Sequence, residues 1–248
     1  MRLATLVHGS GPAATFLHGF TQTKESWLPV VESLTVDLEA NLIDAPGHGE
    51  STVEGRALPL IADDVAESMP TGLLVGYSMG ARIALHTALQ HPEKVRGLVL
   101  VSGTPGLRSE SERSDRRRAD EALADHIEEI GVKQFIPEWL SNPMFQGLSA
   151  QLADIPKRNT NTAQGLANSL RYAGTGTQES LWDKLKNLHM PVLIITGERD
   201  QKFTDIGREM TMEIPHCEFR VMSGAGHTCH LEDINQFVQV FEDWFLRL

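Results

Sequence analysis

The segment Gly76-Tyr77-Ser78-Met79-Gly80 stands between the apolar run Leu73-Leu74-Val75 and the helix-patterned stretch Ala81 to Gln90. A serine with glycine two residues away on either side, at a strand-to-helix junction, is the setting of a nucleophile elbow. The glycines leave room for a turn too tight for bulkier side chains. Strand and helix then hold the hydroxyl outward and aim the next backbone N–H at a substrate oxygen. Five residues are a short pattern, so the reading depends on its partners.

Those partners occur in the required order. Val192-Leu193-Ile194-Ile195-Thr196 reads as a fully buried strand ending in Gly197-Glu198-Arg199-Asp200, and a second short strand near Glu218 to Met222 runs into Gly224-Ala225-Gly226-His227. Serine, then aspartate, then histidine is the chain order of the α/β-hydrolases. The long interval between Ser78 and Asp200 leaves room for an inserted domain. Upstream, the strand-like run Ala14-Thr15-Phe16-Leu17 ends in His18-Gly19-Phe20, where this fold supplies its second oxyanion donor, so the N–H groups of Phe20 and Met79 are expected to act together. Asp44-Ala45-Pro46-Gly47-His48-Gly49 follows another strand and resembles the turn such proteins carry before the elbow. Singly, each piece has an ordinary explanation: glycines for turns, a surface histidine, an aspartate capping a helix. Four pieces in the right order and strand context point to a Ser78–His227–Asp200 triad.

Organisation along the chain supports this. Up to about residue 105, apolar runs at Ala40 to Ile43, Leu73 to Val75 and Leu98 to Val101 alternate with helical periodicity from Ile61 to Ser68 and Ala81 to Gln90. Such alternation predicts an α/β fold with a mostly parallel central sheet covered by helices on both faces. From Arg108 to about Leu188 the chain carries charged helical patterns broken at Pro137, Pro143 and Pro156, with no buried-strand run. Residues 106–188 are therefore expected to form a helical cap inserted in a core of residues 1–105 and 189–248. Asn235 to Leu248 reads as an amphipathic closing helix with Phe237, Phe241, Trp244 and Phe245 at core spacing.

The 248 residues suffice for one sizeable core with an insertion. A net charge of −11 argues against a general nucleic-acid or anionic-membrane surface. The N-terminal apolar stretch is too short and interrupted for a signal sequence, and no run approaches the roughly eighteen apolar residues of a membrane helix. With Cys217 and Cys229 the only cysteines, a disulfide framework is implausible. A cytoplasmic monomer without cofactor or metal is expected. His216, Cys217, His227, Cys229 and His230 cluster in sequence, but their spacing matches no ordinary zinc pattern, and a metal would take His227 from its role as base. His18 and His48 read as turn or pocket-rim residues.

The substrate is to be read in the cap. Five arginines fall between positions 108 and 118: Arg108, Arg113, Arg116, Arg117 and Arg118. They fit a solvated helix, with Glu112 pairing Arg116 and Asp115 pairing Arg118. They fit equally a carboxylate clamp, since a guanidinium fork matches a carboxylate bidentately. Arg82 tilts the balance, lying one helical turn beyond Ser78 where an ordinary esterase pocket is more naturally apolar. So does Arg158, beside Asn159 and Asn161 in a segment too polar for core. A pocket recruiting Arg82, Arg116 and Arg158 suits a substrate with several negative charges.

With these residues in hand, the chain resembles the 2-succinyl-6-hydroxy-2,4-cyclohexadiene-1-carboxylate synthases of menaquinone biosynthesis, nearly end to end. The marks are Gly76 to Arg82, the Pro105-Gly106-Leu107 approach to an arginine-rich helix, and Glu138-Trp139-Leu140 followed by Pro143-Met144-Phe145. Further along come Gly197 to Asp200 with Lys202-Phe203, and Gly224 to His227. The resemblance implies elimination of pyruvate from a cyclohexene tricarboxylate. Ser78, polarised by His227 and Asp200, would serve as or relay the base, with Phe20 and Met79 amides on the carbonyl oxygen and the carboxylates on Arg82, Arg116 and Arg158. It also implies that Tyr77 and Trp139 line the pocket, although Tyr77, Trp139 and Phe145 equally suit simple packing. Ala81 departs from the pattern, standing where many relatives have a third glycine.

Two other classes fit parts of the pattern. A serine hydrolase (esterase, thioesterase or carbon–carbon bond hydrolase) acting on a small carboxylated substrate would share the triad; the arginines are its weak point, since hydrolysis of a small neutral ester does not need them. A non-enzymatic receptor on the same fold would often have an eroded triad, and none of the three residues is eroded here. Dehalogenases and epoxide hydrolases place aspartate at the elbow, where this chain has Ser78.

Overall fold

The computed structural model describes residues 2–52 and 55–248. Seven strands form one sheet among them: β1 (Thr5–His8), β2 (Ala13–Leu17), β3 (Glu39–Ile43), β4 (Gly72–Tyr77), β5 (Val95–Val101), β6 (Val192–Gly197) and β7 (Cys217–Met222). Their order is β1-β3-β2-β4-β5-β6-β7; β1 runs antiparallel to β3 and every other pairing is parallel. The apolar runs read as strands are the central ones, and their side chains alternate between two cores as a two-residue period requires. Leu74, Leu98 and Ile194 join one cluster; Val75, Val99 and Leu193 join the other.

Helices α1 (Leu28–Val31), α2 (Leu58–Ser68) and α3 (Met79–Gln90) lie in the first half of the chain. Between β5 and β6 come α4 (Glu110–Ile130), α5 (Val132–Leu140), α6 (Ala150–Ala153), α7 (Ile155–Arg158) and α8 (Ala163–Ala173), with no strand among the described residues there. Helices α9 (Gln201–Glu213), α10 (Cys229–Glu232) and α11 (Ile234–Phe245) follow. On one face Ile83 and Leu85 of α3 and Met210 of α9 join the core; on the other, Phe237, Phe241 and Trp244 of α11 do so with Trp27. No helix among the described residues is long and apolar enough to cross a membrane.

The helical stretch between β5 and β6 has its own core, in which Ala124 and Ile127 of α4 meet Phe135 and Ile136 of α5 and Leu166 and Leu170 of α8. Helix α4 starts at a capping box: the Ser109 hydroxyl accepts from the Glu112 amide while the Glu112 carboxylate accepts from the Ser109 amide. Backbone meets backbone where this stretch touches the turn after β3. A Cβ on Gly47 would fall 2.6 Å from the Gly165 carbonyl oxygen, and one on Gly165 would fall 2.3 Å from that of Gly47.

Some sequence expectations need correction. Pro137 lies inside α5 rather than breaking it. Pro137 and Lys133 are both exposed, so the carbonyl that loses its donor faces water, while buried Phe135 and Ile136 hold the turn in place. Strand β1 and helix α9 were not anticipated, because β1 is a short edge strand with only half-buried inward positions and α9 is mostly polar.

Candidate active site

Ser78 joins β4 to α3 with φ +51° and ψ −105°, a conformation that costs a side-chain-bearing residue about 1–3 kcal/mol. Its amide donates to the Val101 carbonyl at 2.9 Å, anchoring the turn to the neighbouring strand. The two glycines are sterically required. A Cβ on Gly76 would lie 2.3 Å from the Gly80 carbonyl oxygen, and one on Gly80 would lie 2.2 Å from that of Leu17. Ala81 is accommodated because Gly103 opposite lacks a side chain: a Cβ on Gly103 would fall 2.6 Å from that of Ala81.

The ends of β6 and β7 bring the other two residues to the serine. His227 Nε2 lies 3.1 Å from Ser78 Oγ, and His227 Nδ1 lies 2.6 Å from Asp200 Oδ2. With Nδ1–H donating to the carboxylate, Nε2 is free to accept the serine proton, the division of labour general-base catalysis requires. His227 is 2% exposed and its ring is covered by Phe203, with centroids 4.6 Å apart.

Neither the Phe20 nor the Met79 amide has an acceptor among the described residues; Met79, at the first position of α3, is one of the donors a helix start leaves open. The Phe20 turn is fixed from below. His18 Nδ1–H donates to the Gly19 carbonyl at 2.8 Å, and Nε2 accepts from the Ala45 amide at 3.1 Å. Those bonds define a neutral imidazole, and burial pushes its pKa below the ordinary value. His18 and His48 are thus fully buried against each other, ring centroids 5.1 Å apart, and are not rim residues. Asp44 closes the adjoining turn, accepting from the amides of Lys24 and Glu50 and the Lys24 ammonium.

Over the serine lies a cavity of about 440 Å³. Phe20, Tyr77, Met79 and Trp139 line it, as do Arg82, Arg116 and Arg158, the three arginines singled out in the sequence. Arg158, at the end of α7, sits in core surroundings after all, 3% exposed; Arg82 is 8% exposed. Each is tied only to neutral acceptors. Arg82 Nη1 donates to the Ala173 carbonyl at 2.8 Å and to Gln178 Oε1 at 3.3 Å. Arg158 donates through Nε to the Ala153 carbonyl at 2.6 Å and through Nη1 to the Thr21 hydroxyl. Burial lowers both guanidinium pKa values to about 10, so both stay charged at neutral pH without an ion-pair partner among the described residues. Arg116 is different: half-exposed, it donates to Asp120 Oδ1 at 2.7 Å.

The Glu112–Arg116 pairing expected from spacing is absent, because Glu112 is occupied in the capping box and Arg116 turns toward Asp120. The Asp115–Arg118 pair forms on the surface. Arg113 and Arg117 share Glu110, and Arg108 lies 3.7 Å over the Trp182 ring and pairs with Glu209. The residues of the histidine–cysteine cluster serve separate surroundings: His227 faces Ser78 and Asp200, whereas His230 is wedged between Tyr77 and Trp27 at centroid distances of 4.3 and 4.5 Å. Cavity residues the sequence reading passed over include Asp120, Ser169 and Thr104. Asp120 had a signal, its i,i+4 spacing from Arg116; the other two had none.

The sequence profile described as the alpha/beta hydrolase family matches residues 16–240. A Bacillus subtilis (strain 168) protein provisionally named 2-succinyl-6-hydroxy-2,4-cyclohexadiene-1-carboxylate synthase is 37% identical, over 94% of this chain and 89% of its own. The synthase of that name from Serratia proteamaculans (strain 568) is 30% identical, over 95% of each chain. Among solved structures, MenH from S. aureus superposes with a TM-score of 0.89 at 30% identity, covering 98% of both chains. An esterase from Thermogutta terrifontis, at 22% identity and a TM-score of 0.80, shares the fold. The chain belongs to the α/β-hydrolase family and, within it, to the 2-succinyl-6-hydroxy-2,4-cyclohexadiene-1-carboxylate synthases.

Proposed function

We propose that this enzyme eliminates pyruvate from a succinyl-enolpyruvyl-hydroxycyclohexene carboxylate, leaving 2-succinyl-6-hydroxy-2,4-cyclohexadiene-1-carboxylate, with Ser78, His227 and Asp200 as a proton-abstracting triad. The observation that carries the choice of substrate is the pair of buried guanidinium groups, Arg82 and Arg158, held only by neutral acceptors. A buried charge without a counter-charge is costly, and a bound carboxylate relieves that cost. Two such sites plus Arg116 suit a substrate with three carboxylates. The Trp139 indole N–H, buried without an acceptor beside them, supplies a further donor.

In this reading the ring proton next to the succinyl carbonyl passes to His227 by way of Ser78 Oγ. The C–H electron pair moves onto the carbonyl oxygen, where the Phe20 and Met79 amides stabilise the oxyanion. As the carbonyl reforms, a second ring double bond is made, the existing one shifts into conjugation with it, the ring C–O bond breaks, and the enolate of pyruvate leaves; its protonation balances the proton that His227 took up and gives back. Water is not consumed and no redox step occurs, so the chemistry needs no cofactor. Residues 106–188 act as a cap that carries Arg116, Arg158 and Trp139 over a core of residues 1–105 and 189–248, which carries the triad.

The test is to supply the tricarboxylate precursor and follow pyruvate release together with the ultraviolet absorbance of the conjugated diene. Both are expected with the purified protein and neither with Ser78→Ala. A protein that hydrolyses small neutral esters but releases no pyruvate would overturn the proposal in favour of a hydrolase.

A further inference from the structure

The segment that carries His227 is bracketed by one buried carboxylate. Glu232, at the end of α10, is 3% exposed in its side chain. Its Oε2 accepts from the Gly226 amide at 2.8 Å; its Oε1 accepts from the Thr228 amide at 3.1 Å and from the Thr228 hydroxyl at 2.9 Å. The residues on either side of His227 are therefore held by the two oxygens of a single planar group. Gly226 permits the approach, since even a Cβ there would come within 3.0 Å of Oε1.

The same carboxylate reaches the loop of the triad acid. Arg199, immediately before Asp200, donates from Nη2 to Glu232 Oε2 at 3.0 Å, and the Arg199 amide donates to the Ala225 carbonyl at 2.8 Å. Above it, Gly147 of the helical stretch packs so closely that a Cβ there would lie 1.8 Å from Glu232 Oε2. The charge is thus closed in by protein, where each charge-assisted hydrogen bond is strong and a lost one is expensive.

We infer that Glu232 is a positioning residue for the triad: by fixing the amides on both sides of His227 and tying that loop to Arg199, it sets the His227 ring between Ser78 and Asp200. It touches neither substrate nor the reacting atoms, and it is absent from the cavity lining. An effect on turnover must therefore pass through His227, and substrate affinity should change little. The inference rests on reading Ser78, His227 and Asp200 as the catalytic triad.

Glu232→Gln and Glu232→Ala test it. Glu232→Gln keeps the shape and one carbonyl acceptor, so it remains informative if Glu232→Ala does not fold. In Glu232→Ala, kcat is expected to fall about 10²-fold with KM nearly unchanged, the size of effect that a misplacement of about 1 Å produces. Glu232→Gln should lie between this and the parent. A readout independent of turnover is the far-downfield proton resonance of the short His227 Nδ1–H bond to Asp200. It should shift or broaden in both variants but persist in Ser78→Ala. An unchanged resonance in the folded variants, or a rise in KM with kcat intact, would overturn the inference. Turnover surviving in Ser78→Ala would sink the triad reading instead, while the resonance still reported on Glu232.

Discussion

Two populations of arginine occupy the same helical stretch and its surroundings, and they differ in what answers their charge. Arg113, Arg117 and Arg118 of α4 each have a carboxylate from their own helix. Arg82 and Arg158 are buried and meet only backbone carbonyls, a glutamine and a threonine hydroxyl. That set is self-sufficient, and at its more exposed members, Arg117 and Arg118, solvent screening leaves the ion pairs little weight in stability. The buried set has no counter-charge among the described residues, and in the proposed function a substrate carboxylate supplies it. Residue type and sequence density do not separate the two sets; partner and burial do, and on them rests the proposal of which arginines meet the substrate.

The comparison breaks most readily at the buried pair. Arg82→Met and Arg158→Met should each lower kcat/KM for the tricarboxylate by about 10²-fold, the worth of one or two charge-assisted hydrogen bonds. The thermal midpoint of the ligand-free protein should change little, since removing a buried unpaired charge relieves its desolvation cost while leaving the neutral acceptors it bonds without a donor. Arg118→Ala serves as the control and should move neither quantity. A buried-site variant that loses stability but keeps activity would remove the distinction between the two sets.

Arg116 belongs to neither population, since it lines the cavity but already has Asp120. Arg116→Met should cost about tenfold in kcat/KM, less than either buried arginine, because its charge is half answered and half solvated. Adding Asp120→Asn should restore part of that loss by removing the carboxylate left stranded in the pocket. Steady-state kinetics of the two variants and the double variant measure this coupling directly.

The buried histidines sharpen the contrast from the other side. Burial lowers the pKa of His48 and His230 to about 3 and of His86 to about 4, from an ordinary 6.5. They fold as neutral rings, whereas a buried arginine keeps its proton. Below about pH 6.5 the unfolded chain binds protons that the folded protein refuses until about pH 3–4. The contribution of these three rings is therefore whole above pH 6.5 and lost progressively as pH falls through that window. Urea midpoints measured between pH 7 and pH 4 should decline accordingly, with the decline reduced in His86→Gln.

Much of this architecture could be read before any coordinates, for reasons that follow from locality. The central strands announce themselves as short apolar runs because both faces are covered, and the elbow does so because its glycines answer contacts within one turn. The order of Ser78, Asp200 and His227 reflects strand order, which the chain carries directly. What escaped depends on which distant segments meet. The burial of Arg158 is invisible beside Asn159 and Asn161, because it is created by Thr21 and the Ala153 carbonyl. Nothing local marks Glu232, because its role depends on the loop of His227 folding back onto it.

The contact between Ala81 and Gly103 carries a consequence for how this elbow can vary. There is space for a single methyl group where the first turn of α3 passes the end of β5, and here α3 has taken it. Were residue 81 glycine, residue 103 would be free to gain the methyl instead. The two sites are therefore bound to change in opposite senses, so that Gly103→Ala alone should disturb the serine turn and Ala81→Gly made alongside it should rescue the fold.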